Sequence, residues 1–537
     1  MPEVRGTILD VNNRRFYNGA VIVKDGRIEK IEETDDVPRQ FIMPGFVDSH
    51  IHIESSMMVP SEFARLAVRH GTVATVSDPH EIANVCGKEG VEFMIENGKK
   101  VPLKFYFGAP SCVPATPFET AGAALTVEDI EELLDREEIL YLSEMMNWPG
   151  VLNRDDEVMA KIKAALDRGK PVDGHAPGLK GEKAARYASA GITTDHECYT
   201  KEEAIDKLKN GMLIAIREGS AAKNFNALLP LLGDYPGKIM FCSDDLHPDD
   251  LVRSHMNELA ARTLTRGHEL FDLLYAYCIL PIEHYGLDVG RLRPGDPADF
   301  IVVDDPETMF VLQTWIDGVC VFEKNEVLIP REKIKPINNF TSYMTDPGDF
   351  SVEAGKEKHP VIVARDGEIV TGKEWVKLPE KDGKVLADPS RDILKVAVVN
   401  RYEKAKPSSG FIKNFGIKDG AIASSVAHDS HNIIAVGSSD QHISDVVNLV
   451  MENKGGIAAV RPDEKEILPL PVGGIMSDRP GVEVAQAYEK MSFMARDMGS
   501  NLQAPFMLIS FMALLVIPSL KISDKGMFDG ETFEFVD

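Results

Sequence analysis

Apolar residues along this chain gather in short runs, set apart by turn-rich or helically periodic polar stretches. Residues 4–42 read as short strands. VIVKDGRIEKI places Asp25-Gly26 between two alternating runs, the signal of a hairpin. From 45 to 285 the pattern changes. Strands are predicted at GFVDSHIH (45–52), TVATVSD (72–78), KFYFGAP (104–110), YLSEMM (141–146), PVDGHA (171–176), GITTDHE (191–197), MLIAIRE (212–218) and KIMFCSDD (238–245). Between them lie helical segments such as IEELLDREE and DDEVMAKIKAALDRG, the second closed by glycine. Strand and helix alternating in this way predict an α/β fold, a (β/α)8 barrel of TIM type.

GRLRPGDPADFIVVDDPETMFVLQTWIDGVCVF (290–322) returns to short strands and turns. It is expected to join the N-terminal strands in a small β-sandwich domain built from both flanks of the barrel. A charge-rich stretch, 331–360, leads into a last α/β domain, with strands at ILKVAVVNRY (393–402) and AIASSVA (421–427) and a helix at DVVNLVMENKGG (445–456). The expected units are therefore 1–44 with 286–335, 45–285, and 336–537. FMLISFMALLVIPSL (506–520) is short for a bilayer span and holds Pro518, so a buried helix or strand is expected there.

Composition narrows the function. A chain of 537 residues, 44% apolar and 27% charged, is a soluble multidomain protein. Its net charge of −26 argues against nucleic acid as a partner, because phosphate binding wants Lys and Arg. Six scattered cysteines without paired spacing, and an N-terminus without a signal-like apolar core, lead us to expect reduced thiols, a cytoplasmic location and no membrane association.

The candidate chemistry lies at the C-terminal ends of the predicted barrel strands, where barrel enzymes keep catalytic groups. His50 and His52 stand two apart, so on a strand they face the same side. Glu144 follows on strand four, His175 on strand five, His196 on strand six, and Asp244 and Asp245 on strand eight. Each residue alone is a weak signal. Together, four His, one Glu and one Asp would hold two divalent ions, with Glu144 between them. Asp244 and Asp245 could exchange roles, and Asp244 is the preferred ligand.

MPGFVDSHIHIESSMM, SDPHEIANVCG, EMMNWPGV, DGHAPGL, DHECYT, FCSDDLHPDDL and ASSVAHDSHNIIAVG together resemble the adenine deaminases of bacteria and archaea, within the amidohydrolase superfamily. The resemblance runs through the whole chain. Many amidohydrolases bridge their metals with a carboxylated lysine; Glu144 stands in that place here. The resemblance implies hydrolytic deamination of free adenine to hypoxanthine and ammonia, in purine salvage, by a hydroxide that bridges a binuclear centre. It implies Mn(II), with Fe(II) or Zn(II) as alternatives, and Asp244 as both ligand and proton shuttle. A small-molecule substrate and a homodimer are the partners expected. The same site aimed at a cyclic amide or another aminopurine, or a non-catalytic scaffold, are the competing readings.

Further residues stay open. His80 and Glu81, just past strand two, would contact the purine or protonate its ring; alternatively they only start a helix. Glu197 alternates away from the site if strand six continues, or bends inward and protonates the ring. His428 and Asp429, in AHDSHN, either reach over the barrel mouth to contact substrate or form a polar turn. Cys198 and Cys242 are expected to be buried thiols, and His247, His255, His268 and His284 packed or surface histidines.

Overall fold

A computed structural model describes residues 2–220 and 222–536; Met1 and Asp537, the outer ends of the expected units, lie outside the described residues, as does Ala221. Eight parallel strands form the barrel: Phe46–Ile51, Thr72–Ser77, Lys104–Ala109, Ile139–Met145, Val172–Gly174, Thr194–Asp195, Leu213–Arg217 and Ile239–Cys242. The first five pair in sequence order, as do the last three. A bridge between Val172 and Ile192 joins the two groups, and a bridge between Ile51 and Asp244 closes the ring. All eight lie within the stretches expected from the sequence, apart from two residues that extend the fourth toward its N-terminus.

Every residue of FVDSHI and TVATVS is buried. Inward side chains fill the barrel and outward ones lie under helices, so parallel strands read as near-continuous buried runs rather than as alternation.

The flanks make one eight-stranded sheet. Phe41–Pro44 from the N-terminal side pairs antiparallel with Phe300–Val303 from the other. Val4, Ile8, Val23, Ile28, Phe300 and Val302 share one core with Trp315, so the sheet curls back on itself. The expected hairpin joins Arg15–Lys24 to Arg27–Glu33 through Asp25 (φ 50°) and Gly26 (φ 79°). Both turn residues are left-handed, as the twist of a two-residue hairpin requires.

The C-terminal part is built on a second eight-stranded sheet, with Ile393–Val399 and Ala421–Ser424 flanking Ile433–Gly437. Helix Asp440–Glu452 covers one face through Val446, Val447 and Val450. The other face joins the barrel in one contiguous apolar core, which includes Val47, Ile82, Ile434 and Phe511. Burial of that interface fixes the C-terminal unit over the barrel mouth, since apolar area removed from water is the main favourable term in such docking. Within 506–520 the chain forms the fully buried helix Pro505–Phe511 and then turns across the mouth. No helix among the described residues is long and apolar enough to cross a membrane.

Candidate active site

Backbone register brings the first candidate ligands together. Asp244 N donates to His50 O at 3.0 Å, and His52 N donates to Asp244 O at 3.3 Å. The Asp244 backbone therefore sits against the His-x-His strand, and all three side chains enter the barrel mouth. His50 Nε2 and His52 Nε2 are 3.2 Å apart, and Asp244 Oδ1 lies 3.6 and 3.2 Å from them. Glu144 stands across from this trio. Its Oε2 is 2.7 Å from His175 Nδ1 and 3.1 Å from His196 Nε2, and its Oε1 is 3.5 Å from His52 Nε2. His50 and His196 stack with centroids 4.0 Å apart.

These groups suit divalent ions. His196 Nε2 is buried with no hydrogen-bond partner. Asp244 with His50 and His196, and Glu144 with His175 and His196, each gather their donor atoms within 4.8 Å. Glu144 also closes a third group with His52, Asp78 and His80. Imidazole and carboxylate donors match Mn, Fe or Zn. Outer contacts aim the rings. His52 Nδ1 lies 3.2 Å from the Asp78 carbonyl, which leaves Nε2 free toward the cluster. Ser143 Oγ donates to Asp78 Oδ1 at 2.7 Å, and Asn224 Nδ2 donates to His196 O at 2.9 Å.

Charge pairing outweighs burial here. Burial raises the Glu144 carboxyl, but His175 and His196 hold it well below the usual range. Burial likewise opposes ionisation of Asp244, yet Arg217, His50 and His52 hold it well below its ordinary value.

Sequence reasoning missed Arg217. It is the last residue of the seventh strand, and it is buried. Its Nη1 donates to Asp244 Oδ2 at 2.6 Å and to Glu197 Oε1, and Nη2 donates to Glu197 Oε2 at 3.0 Å. Its position at a strand's C-terminal end is the available signal, but a guanidinium cannot ligate a metal and so does not belong to a donor pattern. Glu197 turns inward, because the sixth strand ends at Asp195 and its alternation does not reach residue 197. Its Oε1 is 3.6 Å from both His175 Nδ1 and His196 Nε2.

Asp245 gathers with Asp244 and His52, their donor atoms within 4.8 Å of one another, but it has other partners as well. Its Oδ1 accepts from Ser55 Oγ at 2.6 Å, beside Glu81 and His428. Glu81 Oε1 accepts from Ser55 Oγ at 3.1 Å and lies 3.2 Å from His428 Nδ1, while Oε2 has no partner. Burial, with Asp245 and Glu54 close by, pushes the Glu81 carboxyl well above its usual range. His80 and Glu81 do start a helix, His80–Cys86, and both also line the cavity. His80 Nδ1 is 3.1 Å from Asp78 Oδ2, and Nε2 is 3.9 Å from Asp429 Oδ1. The 427–432 loop thus crosses the barrel mouth, with the His428 ring stacked on Phe511.

The cavity so formed has an open volume of about 490 Å³. Its floor is the His/Glu/Asp cluster. Its roof is Ile369, Phe511, Leu514, Val516 and Ile517 from the C-terminal unit, which single-sequence periodicity did not point to. His255 pairs with Asp48 at 2.9 Å and His247 lies 2.6 Å from Tyr488 Oη, so both are structural. All six cysteines are free, and Cys198 and Cys242 are buried.

The amidohydrolase family matches residues 41–321, and the adenine deaminase C-terminal domain matches residues 368–534. The chain is 53% identical to an adenine deaminase of Salinibacter ruber, over 99% of this chain and 98% of that protein. It is 50% identical to one of Methanosarcina mazei and 52% identical to one of a Sulfurovum species, each over 100% of this chain and 99% of the relative. By sequence, the chain belongs to the adenine deaminase family of the amidohydrolase superfamily.

Proposed function

We propose that the protein hydrolyses free adenine to hypoxanthine and ammonia, serving purine salvage. One observation carries the reading: ligand-type side chains from strands one, four, five, six and eight converge at the floor of a cavity that Glu81, with its unpartnered Oε2, also lines. His50, His52, Glu144, His175, His196 and Asp244 would hold two divalent ions, proposed as Mn(II). Such ions supply Lewis acidity, which makes water nucleophilic near neutral pH.

The chain's own groups account for the protons. Arg217 fixes Asp244 Oδ2, leaving Oδ1 turned toward His50 and His52. That carboxylate takes a proton from the water attacking carbon 6. Glu81, held neutral by burial, donates from Oε2 to the adjacent ring nitrogen. As the carbon–nitrogen bond breaks, Asp244 passes its proton to the departing amine, which leaves as ammonia. The second water proton restores that of Glu81, and the oxygen stays on carbon 6 as the carbonyl of hypoxanthine. Glu197 anchors Arg217 rather than donating a proton, since both its oxygens accept from the guanidinium. His80, Asp245, His428 and Asp429 line the side where the purine edge would lie.

The division into units at 1–44 with 286–335, 45–285 and 336–537, a cytoplasmic location and a homodimer are parts of the same proposal. Ammonia release from adenine by Mn(II)-loaded protein, against a His50→Ala, His52→Ala double variant, tests the activity. Wild type should form hypoxanthine and the variant should not. Wild type that holds two ions yet leaves adenine unchanged would refute the substrate.

A further inference from the structure

A second, larger cavity, whose open volume of about 1680 Å³ runs out into solvent, lies where the C-terminal unit meets the loops after barrel strands three to six. It shares Met146, Val516 and Ile517 with the active-site cavity. Those three apolar side chains form a common partition, with the ligand cluster on one side and the larger space on the other. Two other clefts border the mouth, one near Glu218 and Arg262, the other near His247 and Tyr488, and neither shares a lining residue with the active-site cavity.

The lining of the large cavity is specific in kind. Phe118, Trp148, Tyr199 and Phe533 bring aromatic rings from four separate segments. Tyr199 and Phe533 remain 40% and 43% exposed, so their faces are open to a visitor. Phe118 and Phe533 are braced on Phe528, with centroids 4.8 and 6.1 Å away. Rigid aromatic faces stack flat heteroaromatic rings without demanding a particular hydrogen-bond pattern. A purine base is such a ring and is uncharged near neutral pH, so passing an apolar partition costs it far less desolvation than it would cost an ion.

We propose that this cavity is the antechamber through which a free heteroaromatic base enters and leaves the active site, with Met146, Val516 and Ile517 as the neck. The inference rests on the adenine reading for its ligand, and on the shared partition for its route. It makes Trp148, Tyr199 and Phe533 a transient stacking site, distinct from the groups that perform the chemistry.

The route is tested by plugging it. Glu531, exposed at the rim, is replaced by cysteine and labelled with a bulky maleimide; Glu489→Cys, at the rim of the cleft beside His247 and Tyr488, is labelled as the comparison. The unlabelled variants should match wild type. The label at 531 should lower kcat/KM for adenine at least tenfold, with unchanged metal content, and the label at 489 should not. In parallel, 1,10-phenanthroline, a flat heteroaromatic chelator that is uncharged near neutral pH, should strip metal from 531-labelled protein at least tenfold more slowly. Full kcat/KM and full stripping rate in the 531-labelled protein would overturn the route, as would equal or greater impairment from the label at 489. Wild-type protein inert on adenine would refute the functional reading alone, and the chelator measurement would still decide the route.

Discussion

Replacing Arg217 with methionine removes a guanidinium while keeping much of its volume. The carboxylates of Glu197 and Asp244 both accept from Nη1, so removing it leaves two buried anions facing each other with nothing between them. At about 5 Å and an effective permittivity of about 20, two such charges repel by about 3 kcal/mol. Breaking a buried ion pair by deleting one partner costs about 3–5 kcal/mol in general, which agrees. If that energy falls on the geometry and charge of Asp244 in the transition state, about 3 kcal/mol is roughly a 150-fold loss in kcat/KM. The assay is steady-state adenine deamination by Arg217→Met protein with metal content determined on the same sample and folding checked by circular dichroism. Arg217→Lys keeps the charge but not the fork that grips both carboxylates, and should fall between the two. A methionine variant within threefold of wild type, folded and fully loaded, would refute the idea that Arg217 sets up Asp244.

Glu81→Gln should lose most of its kcat; in wild type the neutral acid is the active form, so kcat should fall as pH rises through its raised pKa, and Glu81→Asp should keep a basic limb. Lys521 is buried against the carbonyls of Ile369 and Phe511, and burial lowers it from 10.5 to about 7. Between those values the unfolded chain binds the extra proton, so this group makes stability rise with pH by at most about 1.4 kcal/mol per unit. Lys521→Met should flatten that limb in melting temperatures measured from pH 7 to 10, and an unchanged slope would count against a neutral Lys521. Gly474 has φ +69°, and a Cβ there would lie 1.9 Å from Arg401 Nη1, so Gly474→Ala should lower the melting temperature by several degrees while metal content holds.

The barrel was legible because its strands are short, buried on both faces and separated by capped helices, and because Asp244 and the four histidines stand at their ends. Arg217 occupies the same kind of position, but a search for metal donors does not see a cation. Glu197 turned inward because a two-residue strand stops too early for alternation to govern it. Phe511, Leu514 and Ile517 were read only as a buried apolar run. Nothing local to that run says that it roofs a site whose floor lies more than 250 residues earlier in the chain.

The bond pair between Asp244 and the His50–His52 strand is also the seam that closes the barrel. The last candidate ligand and the last strand therefore arrive together. During synthesis, a nascent chain that has exposed His50, His52, Glu144, His175 and His196 still lacks the residue that draws the first two into register. Premature termination anywhere before residue 244 yields scattered imidazoles rather than a crude hydrolase. Termination before 428 leaves the cluster without the loop that crosses its mouth. The candidate site is thus complete only once the chain has passed the loop at 427–432.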